Sequence, residues 1–145
     1  MIPRSYQTAV GSLVLLLSLV SSCTDAACAC SPTVTLVGTY HATRLHFTPT
    51  GQTTIDALAA GATLVITLSG NGTTSGTLFV PASLNNGTPQ SFDLAGTYQT
   101  AGNHVTFSHN ADTFLRDVEW TWVGTTLVTT ESAGGGQYDV ILNQQ

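Results

Sequence analysis

The amino-acid sequence predicts an all-β domain, an antiparallel up-and-down barrel of about eight strands with one short helix after the first strand. The clearest evidence is the segment 62–80, where apolar and polar residues alternate on both sides of a Gly-Asn-Gly connector at residues 70–72. Alternation with a period of two around such a turn is the sequence pattern of a β-hairpin. Similar short segments follow to the end of the chain, separated by Gly-, Asn- and Pro-rich connections.

The composition agrees with one domain of this class. A chain of 145 residues with 42% hydrophobic side chains has enough apolar volume for one core. Charged residues make up only 8% of the chain and lysine is absent, while threonine and glycine are abundant. This composition favours strands and turns over disorder. The formal net charge of −5 and the lack of a basic cluster argue against nucleic acid as a partner, and we expect a monomer.

The first strand is predicted over residues 34–47. Its inward face changes along its length, because Tyr40 has one parity whereas Leu45 and Phe47 have the other. One extra residue in a strand switches the face that its side chains present. A β-bulge near residues 42–44 is therefore expected.

A short helix is predicted over residues 54–61, between the first and second strands. Thr54 is a suitable N-cap, Asp56 lies near the positive end of the helix, alanines fill the interior and Gly61 suits the C-terminus. Such a helix is expected either to cover one barrel end or to serve only as a connector.

The remaining strands follow from alternation, and the loops between them from Gly, Pro and Asn content. After the hairpin at 62–80, strands are predicted at residues 91–99, around Val105 and Phe107, around Trp120 and Trp122, at 125–130 and at 138–142, with loops at 81–89, 110–117 and 132–136. Sequential strands joined by hairpins are compatible with a barrel or a β-sandwich. The barrel is favoured because these strands carry almost no charge to protect an open sheet edge.

Residues 1–22 have the pattern of an export signal. Arg4 precedes an apolar run at residues 10–20, shorter than the about 20 residues of a membrane-spanning helix. The sequence then reads LVSSC at residues 19–23, which resembles the lipobox of bacterial lipoproteins. The resemblance implies a diacylglycerol on the thiol of Cys23, a tether over residues 23–33 and a mature domain over residues 34–145.

The lipobox resemblance also implies a place for the protein: the bacterial cell envelope, held to a membrane through Cys23. Thr24 follows the cysteine, where the family has Asp in proteins kept at the inner membrane. An outer-membrane location is therefore expected if the cell has two membranes. The alternative is ordinary secretion with cleavage near Ala27 or Ala29, which leaves a secreted or periplasmic protein without an anchor.

Cys28 and Cys30 lie in the predicted tether. A disulfide between them would close a strained ring, and two thiols are too few ligands for a closed metal site. Oxidation with a partner molecule, or no role, is the preferred interpretation. A metal or redox protein that combines these cysteines with histidines is the weakest of the alternatives.

The Gly-Thr-Tyr sequence at residues 38–40, a short helix and a meander of seven further strands are together similar to a bacterial lipocalin-like (calycin-type) domain, over residues 34–142. Lipocalins have tryptophan where this chain has Tyr40, and an arginine on the last strand has no counterpart here, so the resemblance is one of topology. It implies a small apolar ligand in the barrel lumen.

Candidate ligand contacts are the aromatic side chains expected to face the lumen and one arginine: Tyr40, Phe92, Tyr98, Phe107, Trp120, Trp122 and Arg116. The alternative for the aromatic residues is a packed core, since side chains can fill an eight-stranded barrel completely. The protein would then be an envelope barrel with a structural or protein-interaction role. Arg116 is expected to bridge carboxylates of the nearby Asp112, Asp117 and Glu119, or alternatively to meet an anionic ligand.

The sequence contains no pattern that predicts catalysis. No serine lies in a Gly-x-Ser-x-Gly elbow, and no catalytic residue, metal site or cofactor is predicted. His41 and His46 face opposite ways on a regular strand and align only if a bulge lies between them. His104 and His109 are opposed in the same way, so surface or hydrogen-bonded histidines are preferred over a metal site.

Overall fold

Ten strands and two short helical segments make up the structure, a computed structural model that describes residues 35–145. The strands are β1 Gly38–Pro49, β2 Ile55–Asp56, β3 Thr63–Leu68, β4 Thr73–Val80, β5 Gln90–Asp93, β6 Gly96–Ala101, β7 His104–His109, β8 Trp120–Val123, β9 Thr126–Ala133 and β10 Gly136–Gln144. A 3-10 helix spans Ala82–Leu84, and a single helical turn, α1, spans Phe114–Asp117.

The sheet closes on itself as a barrel. Eight strands follow one another in the order β1, β3, β4, β6, β7, β8, β9 and β10, all antiparallel, and β10 pairs back with β1. The seam between β1 and β10 runs from Tyr40 opposite Gln144 to Pro49 opposite Gly136. The predicted eight-stranded up-and-down barrel is confirmed, and the sandwich alternative is excluded.

β5 and β6 occupy one strand position in the barrel. Both pair with β4 in a single register, with Thr77 opposite Asp93 and Thr74 opposite Gly96. Between them the Leu94 N–H donates to the Gly76 carbonyl over 3.0 Å, so the hydrogen-bond ladder is carried across the interruption. The strand predicted at residues 91–99 is therefore present, and β2 is the one addition to the expected set.

The bulge predicted in the first strand is confirmed. Ala42 lies opposite Leu142 and Arg44 opposite Ile141, so Thr43 is the extra residue of β1. Tyr40 before the bulge and Leu45 after it are both buried, although their positions in the chain have opposite parity. The bulge thus lets one long strand face the core along its whole length.

The helix predicted at residues 54–61 is wrong. Ile55 and Asp56 instead form β2 along the half of β1 that β3 does not reach, and hydrogen-bonded turns follow. The Ala57 N–H continues this pairing by donating to the Leu45 carbonyl over 2.9 Å. A helix of this length is marginal without tertiary support, whereas the open edge of β1 offers backbone partners.

The two ends of the barrel differ. At one end, here called the hairpin end, tight turns near residues 70, 102 and 124 join the strands. The opposite end, here called the mouth, is formed by Phe47 of β1, Val80 of β4 and Tyr138 of β10, together with the longer connections. Within residues 35–145, neither helical segment has the length and apolar character of a membrane span.

The hairpin half of the lumen is packed solid. Its largest side chains, Trp120 and Tyr40, have no exposed surface. Phe107 meets Trp120 edge to face, with the ring centroids 6.0 Å apart. Aliphatic side chains fill the remaining space, and those with no exposed surface are Ile66, Leu68, Leu94, Leu127, Val140 and Leu142.

Candidate functional site

The barrel wall is incomplete in the half near the mouth. β8 begins only at Trp120, and its pairing with β9 starts at Thr121 opposite Val128. β7 meets β8 at just two positions, His104 and Val105. A gap is therefore left between the far part of β7, with β5 beyond it, and the far part of β9, and the segment 110–119 with α1 occupies it.

The segment 110–119 is held to the barrel by side chains. Its internal backbone hydrogen bonds include Arg116 N–H to Thr113 O, 3.2 Å. A buried hydrogen bond of 2.8 Å joins Thr113 Oγ1 to His109 Nε2, and the Trp120 indole donates to the Leu115 carbonyl over 3.3 Å. The predicted loop is thus a plug whose one helical turn faces the barrel interior through Leu115, which is fully buried.

An aromatic stack joins the plug to the mouth. The Phe114 ring lies 4.2 Å from the Tyr138 ring at an interplanar angle of 8°. Tyr138 in turn lies 4.8 Å from Phe47, at 29°. Stacked rings at these distances attract one another beyond the area they bury. The stack therefore fixes α1 against the seam strands β1 and β10.

A cavity of about 320 Å³, half open to solvent, lies at the mouth beneath the plug. Its lining is almost entirely apolar: Leu45, Phe47, Ile55, Ala57, Ala62, Leu78, Val80, Leu84, Phe92, Phe114 and Tyr138, with Asp112 and Thr113 at one side. The volume falls at the lower end of the range for small-molecule pockets. Ala57 and Ala62 are buried and small, and larger side chains at these positions would occupy the space.

Charged groups cluster on the plug above the cavity. Arg116 Nη2 lies 2.5 Å from Asp112 Oδ1, and Arg116 Nε lies 3.1 Å from Asp117 Oδ1. The two carboxylates, Asp117 first, hold the pKa of Arg116 above its usual value. The expected bridging of carboxylates by Arg116 is confirmed for these two residues. Glu119 is engaged elsewhere, 2.7 Å from His104 Nδ1.

The predicted ligand contacts are scattered through the barrel. Phe92 lines the cavity, and Arg116 lies on the plug beside it. Tyr40, Phe107 and Trp120 belong to the packed core.

Two further predicted contacts, Tyr98 and Trp122, are half-buried towards the hairpin end. The Tyr98 hydroxyl donates to the Ser69 carbonyl over 2.9 Å. The backbone N–H of Trp122 donates to the Asn103 carbonyl over 2.7 Å, whereas its buried indole Nε1 has no partner among the described residues. Neither residue lines the cavity.

Three aromatic residues of the cavity were not among the predicted contacts: Phe47, Phe114 and Tyr138. The sequence carried a signal for Phe47, because the predicted bulge turns it inward. Tyr138 begins a predicted strand, and its alternation with Val140 and Leu142 indicated the same inward face. Phe114 lies in an irregular segment where no periodicity exists to show its direction.

The histidines do not converge. His41 and His46 share the outer face, as the bulge implies, and the two ring nitrogens of His46 lie 3.8 Å from Asp56 and 3.9 Å from Asp139. His104 points outward and His109 inward. Among residues 35–145 no group of three or more His, Cys, Asp or Glu side chains is arranged to hold a metal ion.

The predicted signal peptide lies outside the described residues, as do the lipidation site Cys23 and the pair Cys28 and Cys30.

A second depression, of about 520 Å³, is open to solvent beside the β9–β10 hairpin and is lined by residues 48–51 and 132–137. Its wall consists of strand ends and turns with few apolar side chains, so the mouth cavity is the stronger candidate site. Comparisons with protein-family models, with characterised proteins and with solved structures find no match to this chain.

Proposed function

We propose that this protein is a lipid-anchored β-barrel of the bacterial cell envelope that binds a small apolar molecule at its mouth. The observation that carries the proposal is the cavity of about 320 Å³ with its nearly continuous apolar lining. Apolar surface left unfilled inside a domain favours occupation by an apolar ligand, because the ligand leaves water on binding. The lipocalin-like topology supports the same function by analogy.

The ligand is expected in the mouth half only. The seam residues Leu45 and Phe47 contribute one wall of the cavity, while the hairpin half is filled by Trp120 and Tyr40. A water molecule takes about 30 Å³ of liquid volume, so the cavity has room for about ten groups of that size. The ligand is therefore small, and Phe114 of the plug is the residue it would meet on entry.

A neutral fluorescent probe tests the proposal. We expect N-phenyl-1-naphthylamine to bind saturably and to accept excitation energy from the tryptophans. Ala57→Leu should weaken binding at least about tenfold, since the new side chain occupies the cavity, without lowering the unfolding midpoint. Ala59→Leu is the matched control, because Ala59 is exposed in the same turn and does not line the cavity. Absence of saturable binding, or equal binding by the Ala57→Leu protein, would contradict the proposal.

The membrane anchor has its own test. Metabolic labelling of the full chain with palmitate in a bacterial host should mark the wild type and the Cys28→Ala protein equally. The Cys23→Ala protein should carry no label and should leave the membrane fraction. Labelling that survives in Cys23→Ala would remove the anchor from the proposal and support ordinary secretion.

The solid packing of the hairpin half favours a second candidate function, an envelope barrel with a structural or protein-interaction role and no ligand. Trp120 and Tyr40 already fill the lumen there, as expected for a barrel that binds no ligand. The probe experiment separates the two functions. No binding by the wild type across a panel of neutral apolar molecules would favour this second function.

A further inference from the structure

The mouth has few cations. Residues 35–145 contain two basic side chains, Arg44 and Arg116, and no lysine. Arg44 lies on the outer face of β1, where its Nη1 is 3.4 Å from Asp139 Oδ2. Arg116 is therefore the one basic group of the described chain beside the cavity.

Arg116 is already neutralised by its neighbours. Its guanidinium contacts the carboxylates of Asp112 and Asp117 at 2.5 and 3.1 Å. One positive charge between two negative charges leaves a net charge of −1 on this group of three side chains. An incoming carboxylate would have to compete with both partners, and Asp112 itself lines the cavity that the ligand would enter.

A further acid, exposed at the rim of the mouth, lies on the far part of β9 that borders the gap filled by the plug. Glu131 of β9 is directly across from Tyr138 of β10 in the antiparallel register. Directly opposed residues of such a pair project from the same face of the sheet, so Glu131 shares the lumen face with a cavity residue. Burial and the nearby Asp117 raise the pKa of the Tyr138 hydroxyl, in agreement with the excess of acids at the mouth.

The cavity interior offers no compensation for an ionised group. Its lining is apolar apart from Asp112, Thr113 and the Tyr138 hydroxyl. The Thr113 hydroxyl is engaged with His109 at 2.8 Å. Moving a carboxylate out of water without hydrogen bonds or a counter-ion is strongly unfavourable.

We propose that the mouth cavity accepts uncharged apolar molecules and rejects carboxylates of the same chain length, with Asp112 and Glu131 as the residues that set this preference. The inference rests on the proposed ligand-binding function and deepens it by naming the ligand class. The single arginine at the mouth does not attract an anion because its charge is already shared by two carboxylates. Long-chain acids are therefore poor ligands, whereas alcohols, hydrocarbons and other neutral molecules of similar size are good ones.

The test compares two ligands that differ only in their end group. 1-Decanol and decanoate, each below its aggregation limit at pH 7.5 and low salt, compete with N-phenyl-1-naphthylamine for the full-length protein. Decanol should displace the probe with an affinity at least about tenfold higher than that of decanoate. The ratio should fall as salt is added, because exposed charges are screened.

Substitutions assign the preference to the two acids. Asp112→Asn combined with Glu131→Gln should strengthen decanoate binding severalfold, leave decanol nearly unchanged and so bring the ratio towards one. Glu119→Gln is the matched control, since this carboxylate pairs with His104 away from the cavity, and the ratio should stay as in the wild type.

The possible outcomes distinguish this inference from the proposed function. Equal binding of decanol and decanoate by the wild type would overturn the charge preference and leave ligand binding intact. A preference for decanol that the double substitution does not change would overturn the assignment to Asp112 and Glu131. Failure of both ligands and of the probe to bind would overturn the inference together with the proposed function.

Discussion

Tyr40 and His109 carry ionisable rings inside the barrel, and their hydrogen bonding differs. The Tyr40 hydroxyl donates to the Leu36 carbonyl over 2.8 Å, so its polar atom is satisfied. His109 bonds Thr113 through Nε2, but its buried Nδ1 has no partner among the described residues. Burial of an ionisable group disfavours its charged form. Both residues are therefore expected to be neutral at pH 7 and to make stability depend on pH in opposite ranges.

Tyr40 is expected to limit stability in alkali. Burial first, and Tyr98 second, raise its pKa to about 12, whereas the pKa of a tyrosine in an unfolded chain is about 10. The native state holds the proton between these values and the unfolded state loses it, so the free energy of unfolding falls as pH rises through this window.

Tyr40→Phe tests this dependence. Denaturant unfolding at pH 8, 10 and 11.5 should show a shallower fall for the variant. At pH 8 the variant should lose about 1 kcal/mol through the missing hydrogen bond. Identical slopes for the two proteins would show that Tyr40 does not carry the alkaline limb.

His109 is expected to limit stability in acid. Burial first, and the Arg116 charge second, lower its pKa from the ordinary value. Below about pH 6.5 the histidine of the unfolded chain binds a proton, whereas His109 in the native state does not. The free energy of unfolding therefore decreases as the pH is lowered, until the lowered native pKa is reached. His109→Asn should remove this part of the pH dependence. His41→Asn, at an exposed position, is the control and should keep the wild-type slope; the same slope in all three proteins would exclude His109 as its source.

At the scale of the element, β4 and β1 each depend on a local feature that lets the chain meet its neighbours closely. β4 contains Gly76, whose φ is +144°, and a Cβ there would lie 2.2 Å from the Val65 carbonyl oxygen of β3. β1 contains the extra residue Thr43, which turns its second half inward. The plug turn α1 exists because β7 and β8 are too short to close the wall beside it.

Gly76→Ala, compared with a control, tests whether the glycine is needed for the close approach of β3 and β4 or only for its positive φ. The added methyl should force β3 and β4 apart, because backbone and not a flexible side chain occupies its place. Gly124→Ala is the matched control: its φ is +61°, but a Cβ would meet no atom within 4 Å. We expect Gly124→Ala to cost about 1 kcal/mol and Gly76→Ala about 1 to 3 kcal/mol more, measured by urea unfolding. Equal costs would show that conformation alone matters at Gly76.

At the scale of the whole molecule, the sheet is closed into a barrel whose interior is only partly filled by side chains. The seam between β1 and β10 removes the sheet edges that would otherwise invite association with other chains. The hairpin half gains its stability from dense packing, whereas the mouth half keeps a cavity beneath a plug that side chains hold. Stability and the candidate binding site thus belong to different halves of one sheet.

Leu142→Ala tests the contribution of the seam. Leu142 has no exposed surface and lies opposite Ala42 across the closure, so its truncation should cost about 2 to 5 kcal/mol. Val123→Ala, at a side chain that is 60% exposed, should change stability by less than about 0.5 kcal/mol. Tryptophan fluorescence and far-ultraviolet circular dichroism should report one coincident transition, because a closed sheet unfolds cooperatively. Separate transitions would show that the two halves unfold independently.

The candidate site was harder to predict than the strands around it. Alternation indicated which residues face the lumen, and so identified Phe92 at the cavity and Tyr40, Phe107 and Trp120 in the core. It did not indicate how far along the barrel axis each side chain lies, which decides whether it packs the core or lines the cavity. Phe114 was beyond prediction because its position follows from contact with Tyr138, 24 residues later in the chain.

The sequence by itself determined the all-β class, the strands, the bulge in β1 and the preference for a closed sheet. These features follow from alternation with a period of two and from turn residues, which are local properties of each segment. Only the tertiary structure decided that residues 55–56 pair with the open edge of β1 instead of entering a helix. It also decided that a plug fills the gap beside β8 and that a cavity remains beneath it. These features depend on where neighbouring strands end, and strand lengths on opposite sides of a barrel are matched only when the whole sheet has closed.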